Sequence, residues 1–397
     1  MTALRVVIAG GGIGGISAAL CLASKGCAVE VLEQAEGFTE TGAGIQLSPN
    51  CSRILHALGL EPALRAVAFL PAGTQFRHWR HGRVISENAL GDDAVARYGA
   101  PYYHIHRGDL LALLVAAARN SPQVSLVADC RVQGFTQHSN GVNVATSQGE
   151  RAADLLIGAD GIHSTVREAL WGAAEPRFTG NVAWRALVPA QALPADLIRP
   201  MSTVWWGPGK HFVHYYVRGG ELVNCVCVVE KEGWTLESWT EPGEVDELRH
   251  DFAGWHDDIQ QLLANVAPDS LYKWALFDRE PMPHWSQGCV TLLGDACHPT
   301  LPFMAQGAAM AIEDGAVLAR CITLGDKLSA QLPAQLLRYE RLRRPRTARI
   351  QNGSRRNARV FHMSGVPAWL RNRAARTAGN RAMDGLFSYD ALQEENE

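Results

Sequence analysis

The stretch VTLLGDACHPTLPFMAQGAAMAIEDG, residues 290–315, indicates how the rest of the chain is organised. Its first four residues favour a short buried strand, which ends at Gly294 and Asp295. A loop stiffened by Pro299 follows, and small helix-favouring residues begin a helix at Gly307. A strand that delivers an acid to a loop and then to a helix start is suited to holding a ligand.

The start of this helix favours an anion. The first N–H groups of a helix, here near Gln306, Gly307 and Ala308, have no partner within the helix and therefore favour negative charge. The Asp295 carboxylate can accept hydrogen bonds from sugar-type hydroxyls. The pattern predicts a site for a flat anionic ligand, with a strand, turn and helix that bind nothing as the structural alternative.

A second glycine-rich turn lies near the N-terminus, between predicted strands at residues 4–9 and 28–32. It fits the GxGxxG pattern and leads into a predicted helix over residues 16–25. Missing side chains let the backbone turn sharply and let a pyrophosphate approach the helix, while Glu33 can accept from a ribose hydroxyl. The turn predicts an adenine dinucleotide, either NAD or FAD, against the alternative of a bare strand–helix–strand unit. Among its glycines, we expect Gly10, Gly12, Gly14 and Gly15 to contact the cofactor.

Length and composition exclude several classes of protein. At 397 residues and 47% hydrophobic, the chain can bury a large core. The N-terminus lacks the pattern of a signal peptide, and no segment is apolar for long enough to span a bilayer. A net charge of −3 argues against nucleic acid as a partner. Nine scattered cysteines without CxxC pairs argue for buried thiols and against a metal site, so we expect a cytoplasmic protein without metal, nucleic-acid or membrane binding.

An arginine-dense run over residues 338–359, interrupted by Pro345, is the exception to this charge balance. Aromatic residues are sparse within it, which disfavours nucleic-acid or membrane binding. We expect a solvated helix face with Glu340 as a partner.

Residues 181–229 change to strands without helices between them, which predicts an antiparallel sheet forming a second layer. Pleating places His211 and Tyr215 on one face of the strand over residues 211–217, roughly 13 Å apart, with Val213 between them. They can line one elongated pocket. A satisfied structural histidine is the alternative.

The glycine turns resemble those of a known family. A third turn, GADG with Asp160 and Gly161, follows a strand at residues 155–157. Together with the N-terminal turn and the turn at Gly294, it resembles the single-component FAD-dependent aromatic hydroxylases with the para-hydroxybenzoate hydroxylase fold. The likeness covers roughly residues 6–315, and it is strongest to members that act on 3-hydroxybenzoate, salicylate or 6-hydroxynicotinate.

The resemblance implies an α/β fold in which a Rossmann-like FAD-binding lobe is interleaved with a mainly antiparallel substrate lobe, followed by C-terminal helices. We expect the FAD-binding lobe in residues 1–70, 101–180 and 276–325. The substrate lobe is expected in residues 71–100 and 181–275, and the helical region in residues 326–397.

The resemblance also implies the residues of the site. Cofactor contacts beyond the N-terminal glycines are expected at Glu33, Gln34, Gly44, Arg107, Asp160, Gly294, Asp295, Pro299, Gly307 and Ala308. For Arg107, spacing alone is equally consistent with a local pair with Asp109. Catalytic roles are expected for His211, Tyr215, Gln306 and Tyr102, and substrate contacts for Gln46, Arg185 and Phe303.

In this family an aromatic ring is hydroxylated by O₂ and a nicotinamide cofactor, NADH or NADPH, through a flavin C4a-hydroperoxide. The protein supplies a dry pocket, a proton acceptor for the phenol and donors for a carboxylate. We expect His211 to be the acceptor or relay, because a neutral imidazole titrates in the useful range. Tyr215, Tyr102 and Gln306 are expected to orient the substrate.

The expected reaction is 6-hydroxylation of 3-hydroxybenzoate. Decarboxylating hydroxylation of salicylate and 3-hydroxylation of 6-hydroxynicotinate are alternatives within the family. A flavin-binding sensor without turnover and a plain NAD dehydrogenase are alternatives from other classes. The expected partners are a small aromatic acid and O₂, and the sequence leaves monomer and homodimer open.

Overall fold

The computed structural model describes residues 3–39, 42–231, 233, 241–325, 328–379 and 381–393. Residues 234–240 of the expected substrate lobe and 394–397 of the C-terminal region lie outside this part of the chain. The strands are β1 Arg5–Ala9, β2 Ala28–Leu32, β3 Gly44–Leu47, β4 Gly73–His78, β5 Val84–Ala89, β6 Tyr103–His106, β7 Val124–Val127, β8 Val132–His138, β9 Gly141–Thr146, β10 Gly149–Ala153, β11 Leu155–Gly158, β12 Arg177–Pro189, β13 Met201–Gly207, β14 Lys210–Val217, β15 Leu222–Glu230, β16 Leu271–Asp278, β17 Ser286–Gln287 and β18 Val290–Leu292.

The helices surround and connect these strands. They are α1 Ile13–Ala23, α2 Pro49–Ala57, α3 Glu61–Val67, α4 Asp92–Tyr98, α5 Arg107–Arg119, α6 Thr165–Trp171, α7 Val245–Asp251, α8 Asp257–Ala264, α9 Gly307–Cys321, α10 Leu328–Phe361, α11 Gly365–Ala378 and α12 Arg381–Phe387. Within the described residues, none of these helices combines the length and the apolar character that a bilayer crossing requires.

The first sheet has the order β17-β18-β11-β1-β2-β7 and is parallel except at β17. Its central strands are apolar because they are buried between the elements packed on the sheet, and their side chains form the largest buried cluster. The carboxyl ends of β1, β11 and β18 lie side by side, so the three predicted turns meet at one edge of this sheet. The fold is therefore the α/β arrangement that the sequence indicated.

Residues 132–153 of the expected FAD-binding lobe do not extend the parallel sheet. β8 and β9 pair with β10 in a separate three-stranded antiparallel sheet. Period-two alternation predicts a strand without indicating its partner, which is why the sequence did not separate the two sheets.

The second layer is a seven-stranded sheet with the order β16-β12-β15-β14-β13-β4-β5. One face packs against α7 and α8 through Trp205, Phe212 and their neighbours. The other face carries His211 and Tyr215 and contacts β3 and the loop before α9. The pleat therefore divides β14 between a structural face and a site face, as the sequence predicted.

Two expectations for the chain order need correction. The FAD-binding lobe was expected to resume at residue 276, but β16 pairs with β12 as the edge strand of the second sheet up to Asp278. The arginine run is not interrupted at Pro345, since α10 continues from Leu328 to Phe361. Its face is also not simply solvated, because Arg343 is fully buried and paired with acids of α9. Tertiary packing overrides the local breaker signal here.

Candidate active site

The N-terminal glycine turn is fixed by backbone contacts. Gly10 has a φ of +106°, and a Cβ there would lie 2.4 Å from the Ala159 carbonyl oxygen. A Cβ on Gly15 would lie 2.0 Å from the Gly10 carbonyl oxygen. A side chain at Gly12, in contrast, would meet nothing within 4 Å. Packing therefore demands glycine at Gly10 and Gly15, whereas Gly12 faces space that the protein leaves open.

Gly14 and Glu33 hold this turn in place. A Cβ on Gly14 would lie 3.1 Å from the Ala311 Cβ, so this glycine lets α1 approach α9 and serves packing. The Glu33 carboxylate accepts from the Gly11 N–H at 2.8 Å and the Ala35 N–H at 2.9 Å. The acid is thereby fixed at the end of β2, beside the turn, and Gln34 next to it is exposed.

The second turn uses its acid differently from the expectation. Asp160 accepts from the Ser164 hydroxyl at 2.5 Å and the Val166 N–H at 3.2 Å. Burial raises the pKa of Asp160, partly offset by these hydrogen bonds. Asp160 thus stabilises the start of α6 in this arrangement, and its cofactor role remains a proposal.

The third turn leads from β18 into α9. Gly294 has a φ of +62°, and its N–H donates to the Asp314 carboxylate at 3.0 Å, while Asp295 is exposed at the strand end. Pro299 is buried, and its carbonyl accepts from Gln351 at 3.0 Å. The loop before α9 is therefore held by α9 and α10, and it presents the partly exposed Gly307 and Ala308 at the helix start.

Gln306 has partners other than those expected. Its side-chain N–H donates to Ser48 at 2.9 Å, and its oxygen accepts from Asn50 at 3.1 Å. The residue is 1% exposed. Because both ends of the amide are engaged, this arrangement does not support the prediction that Gln306 orients the substrate. We assign it to holding the start of α9 against α2.

The two-stranded antiparallel sheet of β3 and β6 joins the two layers. The Gly44 N–H donates to Asn224 on β15 at 2.7 Å, and a Cβ on Gly44 would lie 2.8 Å from the Tyr215 ring. The Arg107 N–H donates to the Ala43 carbonyl, and the Arg107 side chain packs beside Gly42. Gly44 therefore lets this two-stranded sheet lie directly on the second sheet.

A polar chain crosses the space between the layers. The Tyr102 hydroxyl donates to the Gln46 oxygen at 2.6 Å, and the Gln46 side-chain N–H donates to Ser202 at 2.8 Å. Tyr215 lies nearby, with its ring centroid 4.5 Å from that of His104. The structure thus brings the predicted Gln46, Tyr102 and Tyr215 together and adds Ser202.

His211 lies at the other end of the same face. Its ring contacts Phe303 at a centroid distance of 5.1 Å and Phe361 at 5.3 Å. Burial, and to a lesser degree the neighbouring His362, lowers the pKa of His211 well below its usual value. The imidazole is therefore neutral near pH 7, so one ring nitrogen keeps a lone pair that can accept a hydrogen bond or a proton in transit, but it titrates below the range that the sequence led us to expect. Burial raises the pKa of Tyr215, so its hydroxyl stays protonated as a donor.

Arg185 is half-buried on β12, with its guanidinium 4.2 Å from the centre of the Trp274 ring. It lies close enough to Tyr215 to lower the pKa of that tyrosine slightly against the effect of burial. A cation in this position adds positive charge to the face that carries His211 and Tyr215.

Comparison with known proteins identifies the class of this site. The family model described as FAD binding domain matches residues 3–354. The chain belongs to this FAD-binding family. The 6-hydroxynicotinate 3-monooxygenase of Pseudomonas fluorescens is 40% identical over 98% of this chain and 95% of that protein. The protein is a flavoprotein monooxygenase of aromatic substrates with FAD as cofactor and NAD(P)H as electron donor.

Further relatives have different substrates in their names. The 3-amino-4-hydroxybenzoate 2-monooxygenase PtnB3 of Streptomyces platensis is 39% identical over 94% of this chain and 93% of its own length. The 3-hydroxybenzoate 6-hydroxylase of Polaromonas naphthalenivorans is 39% identical over 93% of this chain and 91% of that protein. A salicylate hydroxylase in complex with its substrate has a TM-score of 0.81 at 27% identity, covering 98% of this chain and 96% of that one. The family rules out the alternative of a plain NAD dehydrogenase.

The residues of the flavoprotein fit FAD. The open space beside Gly12 has no explanation in packing, but a pyrophosphate approaching the N-terminus of α1 accounts for it. The start of α9 offers unpaired N–H groups to the electron-rich edge of a flavin ring. When bound, FAD supplies the redox chemistry and the activation of O₂.

Replacing Gly12 with alanine should therefore weaken FAD binding about tenfold or more while changing the free energy of unfolding of the apoprotein by less than about 0.5 kcal/mol, because the added methyl group occupies only the cofactor's space. Fluorescence titration of FAD into apoprotein measures the first effect, and urea unfolding measures the second. Gly134→Ala is the control, since a Cβ there also meets nothing within 4 Å but lies in β8. Unchanged affinity in Gly12→Ala would contradict the placement of the pyrophosphate.

A buried ionic network beneath the third turn was missed by sequence reasoning. Arg343 of α10 pairs with Glu313 and Asp314 of α9, each contact at 2.7 Å, and all three are fully buried. Among the described residues, Asp314 also forms a metal-like cluster with Cys297 and His298. Both Asp314 oxygens are already engaged, by Arg343 and by His298 with the Gly294 N–H. We therefore assign the cluster to holding the turn.

Buried neutral histidines make the flavoprotein acid-sensitive. Burial lowers the pKa of His104 and of His214 to about 3 each, whereas the unfolded chain titrates near 6.5. Below pH 6.5 the unfolded state binds protons that the folded state does not, so stability is complete above that pH and is lost as pH falls toward 3. At pH 5.5 each of the two histidines should lower the free energy of unfolding by about 1.4 kcal/mol relative to its value at higher pH.

Urea unfolding at pH 7.5, 6.5 and 5.5 measures this loss of unfolding free energy. The loss begins at a higher pH than the range in which carboxylates titrate. His214→Phe should show a weaker dependence than the parent protein. Stability that stays constant down to pH 5 would contradict the expected protonation states.

Proposed function

We propose that this monooxygenase hydroxylates an aromatic acid carrying a ring hydroxyl, with 6-hydroxylation of 3-hydroxybenzoate as the first candidate. The observation that supports this is the neutral, buried His211, which lies on the same sheet face as Tyr215. This face lies opposite the two-stranded sheet that carries Gln46. One end of this face can accept a phenolic proton, and the other can orient a polar substituent by hydrogen bonds.

In the proposed site, His211 accepts the proton of the ring hydroxyl, which raises the electron density of the carbons ortho and para to it. Phe303 excludes water from the His211 imidazole and covers the aromatic ring of the substrate. Tyr215 and the Ser202 hydroxyl orient the substrate by donating hydrogen bonds, while Tyr102 and Gln46 hold Ser202 in place, and Arg185 provides positive charge for the carboxylate. Each of these groups therefore orients the substrate, stabilises its charge or accepts its proton.

The relatives supply a second candidate, 3-hydroxylation of 6-hydroxynicotinate. In both 3-hydroxybenzoate and 6-hydroxynicotinate, the attacked carbon lies para to the ring hydroxyl. Deprotonation by one base at His211 would activate that carbon in either ring. The two reactions differ at the attacked carbon, which carries hydrogen in the first and the carboxylate in the second, so the second releases CO₂. Salicylate also loses CO₂, but there the attacked carbon lies ortho to the hydroxyl.

A substrate panel tests the proposal. FAD-loaded protein is given NADH or NADPH, O₂ and each acid in turn, and products are identified by mass spectrometry alongside NAD(P)H consumption and H₂O₂ release. 3-Hydroxybenzoate should give 2,5-dihydroxybenzoate with product formed in proportion to NAD(P)H consumed. Decarboxylated products from 6-hydroxynicotinate or salicylate would favour those reactions instead. A ligand-induced spectral change without product from any acid would favour the sensor alternative.

Arg185→Met tests the assignment of the carboxylate partner. The variant should have a KM for the acid that is about tenfold or more higher, with little change in kcat. The reason is that the guanidinium of the parent protein stabilises the bound substrate and the transition state alike. The corresponding aldehyde or amide, which lacks the charge, should bind the variant and the parent protein equally well. An unchanged KM for the acid would remove Arg185 from the substrate site.

A further inference from the structure

A hydrogen-bonded chain leads from His211 to the protein surface. The Nδ1 atom of His211 lies 2.8 Å from Nε2 of His362, and Nδ1 of His362 lies 2.7 Å from Oε1 of Glu230. We propose that His362 and Glu230 form a proton exit that connects His211 in the substrate pocket with solvent. The proposal rests on the proposed role of His211 as acceptor of the phenolic proton.

Burial changes steadily along this chain. His211 is 2% exposed, His362 is 7% exposed, and the Glu230 side chain is 57% exposed. The inner end is therefore dry, and the outer end exchanges protons with water. A buried base without such a connection would keep each proton it accepted, because transfer through an apolar core is costly.

The backbone holds the two outer groups in register. His362 follows the last residue of α10, and its carbonyl accepts from the Gly209 N–H at 3.1 Å. The Glu230 N–H donates to the Gly209 carbonyl at 2.9 Å. One turn between β13 and β14 thus fixes both the histidine and the glutamate. His211 is the second residue of β14, directly after this turn.

The order of donors and acceptors assigns the tautomers of both rings. The Glu230 carboxylate can only accept, so His362 carries its proton on Nδ1 and offers Nε2 as an acceptor. His211 then donates from Nδ1 to His362, which leaves Nε2 of His211 with its lone pair. This atom has no hydrogen-bond partner among the described residues. The chain therefore prepares the unprotonated Nε2 of His211 as the base.

Proton transfer along the chain balances without any oxidant or reductant. The O–H bond of the ring hydroxyl breaks as its proton moves to Nε2 of His211. The Nδ1 proton of His211 moves to Nε2 of His362, and the Nδ1 proton of His362 moves to Glu230 and then to water. The reverse transfers return a proton to the product oxygen and restore both tautomers.

The surrounding charges suit a relay. Burial lowers the pKa of His362, Glu230 opposes this effect, and Arg371 of α11 adds to the lowering. The Arg371 guanidinium is held by the carbonyls of Val360 and Phe361. Glu230, His211 and Arg371 are the titratable or charged groups facing His362 from β15, β14 and α11. Both imidazoles are therefore neutral near pH 7, so neither traps the proton that passes through it.

The test uses FAD-loaded protein with the acid that the panel identifies. Glu230→Gln should lower the rate of proton release on substrate binding, followed with a pH indicator in stopped flow, about tenfold. His362→Ala should lower the rate of proton release about a hundredfold, and added imidazole should raise the rate of this variant at least tenfold. The matched controls are Glu221→Gln and His250→Ala, which replace exposed groups of the same types and should leave the rate unchanged.

Two outcomes would overturn the proposal. The first is a His362→Ala variant whose loss is not relieved by imidazole, because a purely structural role predicts no rescue. The second is an unchanged rate in both Glu230→Gln and His362→Ala.

A second measurement does not depend on turnover. The ¹⁵N shifts of the histidine rings in the FAD-loaded protein report the tautomers, and Glu230→Gln should change the ring signals of both His362 and His211. Unchanged His211 signals would also overturn the relay. If no acid in the panel is hydroxylated, the proposed function fails while this measurement still tests the hydrogen-bonded chain.

Discussion

Replacing His211 with alanine is expected to lower kcat for hydroxylation about a hundredfold or more, while FAD stays bound. A positioned general base contributes a factor of about 10² to 10⁴, and the other imidazole near Phe303, that of His362, has its Nε2 atom engaged by His211. The loss should shrink as pH rises toward the pKa of a free phenol, because the substrate then binds already deprotonated. Product yield per NAD(P)H, measured from pH 6 to 10, checks both expectations.

His214→Ala is the matched control for that experiment. His214 is as buried as His211, at 2% exposed, but it lies on the opposite face of β14 and accepts a hydrogen bond from Trp205 at 3.0 Å. Its loss should lower stability and leave turnover per folded molecule nearly unchanged. Equal losses of turnover in the two variants, or none in His211→Ala, would reject the role assigned to His211.

Replacing Arg343 with methionine should lower the free energy of unfolding by about 3–5 kcal/mol, because the buried Asp314 would lose its arginine and the buried Glu313 would keep only Arg346 as a cation. Burial acts to raise the pKa of both carboxyls, but their cationic neighbours lower it, chiefly Arg343 for Glu313 and His298 followed by Arg343 for Asp314. FAD affinity should fall as well, since Asp314 holds the Gly294 N–H in the third turn. Chemical unfolding and FAD titration measure the two effects.

Arg349→Met on the same helix is the control, because Arg349 is exposed and should change stability by less than about 0.5 kcal/mol. Restoring stability in Arg343→Met by also replacing Asp314 with asparagine, while Glu313 keeps its pair with Arg346, would confirm that the unpaired charge of Asp314 causes the loss. A destabilisation of Arg343→Met no larger than that of Arg349→Met would contradict the network's role.

Features that depend on near neighbours in the chain were predictable. The strand, glycine turn and helix at the N-terminus are encoded within residues 4–33, although the helix both begins and ends earlier than expected, at Ile13 and Ala23. The shared face of His211 and Tyr215 follows from the pleat of one strand. The resemblance then supplied the family and the cofactor, because three such local turns occur in the expected order.

Features that depend on partners distant in the sequence could not be predicted. Gln306 sits at the start of α9 as expected, but its amide is engaged by Ser48 and Asn50, more than 250 positions earlier in the chain. His362 lies 151 positions from His211, and Arg343 lies 29 positions from Asp314 across two helices. No local pattern marks these residues, since a lone histidine or one arginine in a basic run has the same local sequence whether it is exposed or buried.

The sequence by itself determined the chemistry that short-range geometry controls: where the chain turns around a dinucleotide and which side chains share a strand face. Only the tertiary structure decided which carboxylates are buried with Arg343 and which groups connect His211 with the surface. The physical reason is that backbone conformation is fixed by residues a few positions apart. Burial, hydrogen-bond partners and the pKa shifts they cause are instead fixed by whatever the fold brings into contact.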